Sequence, residues 1–296
     1  MSDSPTDPQR PSNPSVSKKL RYALGMVGVK ILHAFPSIAG IVAPRETRVM
    51  RQFFRHAKLG HTAVQPTARS AVIGQIHLAT GARGRFPWLA TSTWEQQLHW
   101  EGRAEFEQSL ASAQQGVILV TGYSMLEGAV ERYAEEHPRG IHILGAPHGR
   151  TDESPSNSKP RTPTSPMQLA RNFVLAQRAL REGKLILASG NTISTVGNWT
   201  HAPMLGRNLT LPSGWARLAI ASDCPVWFIL GDYQPRGTPS LRFVRATPPA
   251  APVTPEAWVN CFAAHWEDSL RRCPALARPR WIRRWLKSPH VSGEGR

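Results

Sequence analysis

The chain is short of cysteine, of acid and of tyrosine. Three cysteines, Cys224, Cys261 and Cys273, stand at irregular spacing in 296 residues. That excludes a disulfide framework and a zinc site of Cys-x-x-Cys type, and fits a reducing compartment. Twenty Asp and Glu face thirty-six Lys and Arg, a formal net charge of +16. Such a surplus favours anionic partners: nucleic acid, anionic lipid headgroups or an acidic carrier protein. Four tyrosines against ten tryptophans add weight to a membrane boundary, where indole rings sit between apolar and wet surroundings. A clean membrane span is also missing. The most apolar stretch, residues 20–43, is interrupted by Lys30, His33 and Pro36 before the roughly 20 residues a spanning helix needs.

Composition along the chain suggests four parts. Residues 1–17, rich in Ser, Pro, Asn and Asp, have no apolar core or cleavage pattern and read as a disordered tail. Residues 18–45 are apolar with basic flanks, Lys18, Lys19 and Arg21 before and Arg45, Arg48, Arg51 and Arg55 after. This is the flanking of a helical region lying on an anionic leaflet, and equally that of a buried helix hairpin with a basic outer face. Residues 46–287 read as one domain, and 288–296 as a tail. Up to residue 113 the pattern is helical: apolar Val49, Met50, Phe53 and Phe54 recur at helical spacing, with Gly60 as a stop. Trp94, Trp100 and Phe106 are expected to pack in a core.

From residue 116 apolar strands alternate with amphipathic helices: VILVTG, MLEGAVERYAEEH, IHILGAP, QLARNFVLAQRALREG, KLILASG, WARLAIAS and CPVWFILGDY. That order predicts an α/β fold with a mainly parallel central sheet flanked by helices. Residues 149–166, with four Pro among Ser, Thr and basic side chains, read as a long solvent-facing loop. The stretch of greatest interest is Gly116 to Gly128, where the first strong strand ends at a small-residue turn and opens into a helix.

Several pieces in sequence, WEGRAEFEQSLASAQQGVILVTG, IHILGAPHGR, QLARNFVLAQRALREGKLILAS, MLGRNLTLPSGWARLAIASDCPVWFILGDY and LRRCPALARPRWIRRWLK, resemble the lysophospholipid acyltransferase superfamily. The resemblance is to the bacterial branch that adds the late acyl chains of lipid A, and it covers about residues 46 to 287. It implies an acyltransferase-like fold, an acyl thioester donor carried by acyl carrier protein or coenzyme A, and no cofactor or metal. It also implies a lipid hydroxyl or amine acceptor, and a peripheral place on the cytoplasmic face of the inner membrane.

In that family the turn carries His-x-x-x-x-Asp/Glu, the His acting as general base on the acceptor hydroxyl. Here the aligned positions hold Tyr123 and Gly128, with Glu127 one residue early. Tyrosine, with a pKa near 10, is a weak base at neutral pH unless perturbed. Four readings of the turn therefore stand: an acyltransferase using Tyr123 and Glu127, or a relocated His such as His148 or His201; an inactive acyltransferase-like protein that binds lipid or carrier; a hydrolase with Ser124 as nucleophile, although the second glycine of Gly-x-Ser-x-Gly is absent; and a turn in which Ser124 only caps the helix. Substrate contacts are expected from Gly122 and, for a phosphate, from Arg207, Ser213 and Gly214, where free helix N–H groups and a guanidinium would converge. Arg271, Arg272, Arg278, Arg280, Arg283, Arg284 and Lys287, interleaved with Trp281 and Trp285, read as a basic aromatic face. An anionic membrane surface suits it; no nucleic-acid module accompanies it, and no nucleic acid is expected.

Overall fold

A computed structural model describes residues 27–28, 30–32, 34–59, 68–82, 98–122, 124, 126–144, 166–191, 199–232, 239–247 and 253–290. The expected tail 1–17, Gly60, Trp94, Tyr123, His148 and most of the 149–166 loop lie outside these residues.

The centre is β2 (Val117–Thr121), whose five residues are all buried. A strand apolar on both faces belongs inside a parallel sheet covered by helices on both sides. It pairs in parallel with β4 (Leu185–Ser189) on one side and with β7 (Val226–Asp232) on the other. Beyond β4 lies β3 (Ile141–Ile143), also parallel. Beyond β7 the antiparallel β8 (Ser240–Arg245) turns back, and β1 (His99–Glu101) closes the edge parallel to it. The order is β1-β8-β7-β2-β4-β3. The expectation of a mainly parallel α/β sheet is borne out, in a sheet made mixed by β8.

Two parts differ from the sequence reading. The stretch 46–113, expected to be helical throughout, contains β1, whose three residues find a partner only in β8, some 140 positions later. A strand that short carries no period for sequence to show. The second is WTHAPMLGRNLTLP, expected as a loop containing His201. It is a separate antiparallel hairpin of β5 (Trp199–Met204) and β6 (Arg207–Pro212). Its two-residue turn, Leu205–Gly206, has φ of 51° and 73°, as hairpin twist demands. Leu205, unusual there without glycine's freedom, donates its N–H to the Glu267 carboxylate at 2.7 Å.

The helices are α1 (Ala39–Val42), α2 (Pro44–His56), α3 (Ala68–Ala82), α4 (Arg103–Ser112), α5 (Glu127–Glu136), α6 (Pro166–Arg181), α7 (Gly214–Ser222), α8 (Pro255–Arg272) and α9 (Pro279–Lys287). No described helix is long and apolar enough to cross a membrane. Helix α8 presses against the carboxyl ends of the central strands, and glycines make the approach possible. A Cβ on Gly122 would lie 2.6 Å from the Trp266 ring, and one on Gly190 would run into that of Phe262. Phe106 and Trp100 pack as expected, in an aromatic cluster with Tyr133 and Phe243. The three cysteines are free thiols.

Candidate active site at the end of the central strand

Sheet order reverses at β2: the chain leaves it for β3 and β4 on one side and later returns to β7 on the other. In open α/β sheets ligands bind outside the carboxyl ends of the strands at such a switch point. That end of β2 is the Gly122 to Glu127 turn.

Ser124 is only 3% exposed. Its hydroxyl accepts the N–H of Leu126 at 3.1 Å, satisfying a donor at the mouth of α5. Its backbone forms an isolated antiparallel bridge with Ala277, and its carbonyl accepts Nε of Arg278 at 2.8 Å. The other end of that guanidinium, Nη2, lies 2.7 Å from Oε2 of Glu127. Arg278 thus binds the turn's backbone and its only acid at once. From the opposite side, Gln75 on α3 donates to the Ala277 carbonyl at 2.5 Å.

Glu127 opens α5 from a largely buried position. Its carboxyl is raised from about 4.5 to about 7, chiefly by burial, with Glu131 pushing the same way and Arg278 opposing. Desolvation outweighs one ion pair because the carboxylate loses water on most of its surface and gains a partner on one side only. A carboxylate that takes a proton near neutral pH has the affinity a general base needs.

The remaining predicted residues are dispersed. Gly122 adjoins Ser124, but the space beside it belongs to the Trp266 indole. Arg207 begins β6 and Ser213 follows it, so the strand separates them by roughly 17–20 Å; Arg207 and the α7 N-terminus do not form one anion site. Arg207 instead donates from Nη1 to the Ser288 carbonyl at 2.6 Å and lies over the Trp285 ring at 5.2 Å. It ties the C-terminal segment to the hairpin, beside the Asn208 N–H bond to the Pro289 carbonyl. Ser213 occupies the N-cap of α7 without making a capping bond, and its buried hydroxyl has no hydrogen-bond partner. Gly214 opens α7, with open space where a Cβ would stand. His201 lies on β5, exposed, with a ring nitrogen 3.5 Å from Thr210 Oγ1.

The basic aromatic face expected at residues 271–287 divides in two. Trp281 and Trp285 are buried and meet Phe53 edge-on at 6.1 and 5.0 Å, so the indoles form core rather than surface. Arg271 pairs with Glu267, Arg272 with Asp268 and Arg278 with Glu127. Arg280, Arg283 and Lys287 remain exposed. Sequence reasoning placed Arg278 among surface cations. Its contact with Glu127 joins residues 151 positions apart, and no local pattern marks such a pair.

Among the described residues no three His, Cys, Asp or Glu side chains gather as metal ligands. A shallow depression lined by Ala113, Gln114, Arg139, Arg181, Glu182 and Gly183 lies at the opposite, amino edge of the sheet. The fold is α/β, and its switch point holds a candidate site beside the largely buried carboxyl of Glu127. No protein-family model matches the chain, and neither does any curated protein.

Proposed function

We propose that the protein is acyltransferase-like and moves a fatty acyl group from a thioester, on acyl carrier protein or coenzyme A, to a hydroxyl or amine of a lipid acceptor. The observation that carries this reading is Glu127: a buried carboxyl with an affinity for protons near neutrality, at the carboxyl end of the central strand. In this scheme Glu127, with Tyr123 four positions before it in sequence, removes the acceptor's proton. The acceptor oxygen or nitrogen bonds to the acyl carbon, the carbon–sulfur bond breaks, and the departing thiolate takes up a proton. The chemistry draws on the residues of the turn and on no cofactor. The lipid A late acyltransferase resemblance supplies the donor and acceptor classes.

Two observations favour a second reading, a protein of this fold that binds lipid or carrier without turnover. The Arg278 guanidinium occupies one oxygen of Glu127 at 2.7 Å, and Tyr123 stands where the resembled family has histidine.

Purified protein offered labelled acyl carrier protein and acyl coenzyme A against lysolipids and lipid A precursors, with products read by mass spectrometry, separates the two. Product that disappears in Glu127→Gln, with the thermal transition retained, supports catalysis. Saturable binding of acyl donor or lipid without product supports the silent protein. Neither product nor binding overturns both.

A further inference from the structure

The N-terminal part of the described structure exposes what a soluble core normally hides. Val27, Ile31, Phe35, Ile41 and Val42 are all at least half exposed, Ile41 at 80% and Val42 at 61%. They fall within sixteen positions, on either side of a 3-10 turn at Pro36–Ile38. Scattered single hydrophobes on a surface are ordinary, whereas a group of this size within one short segment marks an interaction site.

Its neighbour is the exposed side of α2. Arg45, Arg48, Arg51 and Arg55 recur at spacings of three, three and four, which puts them on one side of a helix. All four are exposed, opposite the buried Thr47, Met50, Phe53 and Phe54. Glu46 is the only acid on the helix. Through Phe53, Trp281 and Trp285, α2 packs on α9, whose exposed Arg280, Arg283 and Lys287 enlarge the same positive field.

We infer that α1, α2 and the segment before them form a docking face for an anionic lipid bilayer, the apolar side chains entering the headgroup boundary and the α2 arginines pairing with lipid phosphates. Charge complementarity selects this occupant: an apolar wedge beside a row of cations matches an anionic interface. A second copy of the same chain would set the two arginine rows against each other. The inference stands independently of acyl transfer, since it requires binding alone.

The test is co-sedimentation of the full chain with vesicles of phosphatidylcholine alone and of phosphatidylcholine mixed with phosphatidylglycerol. Binding to the anionic vesicles is expected to fall by about thirtyfold in Arg48→Ala/Arg51→Ala, about fivefold for each cation lost. It is expected to fall by at least about tenfold in Ile41→Asp/Val42→Asp. Both pairs are exposed, and an unchanged thermal transition separates lost binding from lost folding. Equal binding to both vesicle types, or variants that bind as the parent does, overturns the inference. So does a parent dimer that Ile41→Asp/Val42→Asp converts to monomer, which would assign the face to a second copy.

Discussion

Two arginine-rich helical regions pack against each other and use their charges in opposite ways. Around α9, Arg278 grips the Glu127 turn, Arg284 donates to the Thr210 carbonyl at 3.0 Å, and Arg207 from the hairpin reaches the Ser288 carbonyl. On α2, Arg45, Arg48, Arg51 and Arg55 face solvent. The sequences look alike, apolar residues interleaved with arginine, and the seam between them is aromatic. An inward arginine satisfies carbonyls that burial would otherwise orphan and so acts on the fold. Outward arginines leave the fold almost untouched and act on whatever approaches.

The sharpest way to break this contrast is to empty the seam. Trp285 is buried, meets Phe53 edge-on at 5.0 Å and donates its indole N–H to the Met204 carbonyl at 3.1 Å. Trp285→Ala should cost about 3–5 kcal/mol, read as a drop in the urea midpoint, and should loosen α2, α9 and the β5–β6 hairpin together. Gly122→Ala comes next. Its methyl would start 2.6 Å from the Trp266 ring, and overpacking of that kind costs about 1–3 kcal/mol. In a Trp266→Leu background Gly122→Ala should cost less than it does in the parent, because the smaller side chain yields the space.

Sequence reached the sheet through β2, β4 and β7, whose apolar runs are long enough to announce themselves, and through α5 to α7, and left β8 and α8 unassigned. It missed β1 and the hairpin. The first is three residues long; in the second, Leu205 holds a left-handed conformation because of Glu267, sixty-two positions away. The candidate turn was legible as strand, small residues and helix, and Glu127 was picked from it. Its ion-pair partner was not, since Arg278 belongs to a cluster whose composition suggests a surface. Trp281 and Trp285 misled for the same reason: interleaving with arginine marks an amphipathic helix without saying which medium its apolar side meets.

Glu127 and Arg278 test whether the inward charges are structural. An unfolded glutamate titrates near 4.5, whereas this one titrates at about 7. Between those values the folded state holds a proton that the unfolded chain has released, so stability falls as pH rises from about 4.5 to about 7 and levels off above. The fall should be about 3 kcal/mol, measured by urea unfolding across that range. Glu127→Gln should flatten it. Arg278→Ala removes the charge that opposes burial, so the decline should extend to higher pH, with a loss of about 1–3 kcal/mol in the alkaline range. A profile unchanged by either substitution would show that the pair does not hold the turn.

The smallest effect on stability, and the most telling, belongs to α2. Arg48→Ala and Arg51→Ala remove exposed side chains, so each should shift unfolding by no more than about 0.5 kcal/mol. Helix propensity is nearly even between the two residue types, and neither cation forms an ion pair among the described residues. The same variants should lower binding to anionic vesicles far beyond that figure, and added salt should weaken the parent's binding while hardly changing its unfolding midpoint. Arg278→Ala should do the reverse, moving the midpoint and sparing vesicle binding. If Arg48→Ala destabilised the chain as much as Arg278→Ala does, the division between inward and outward arginine would fail. The charge of α2 would then belong to the fold, and the vesicle result would lose its meaning.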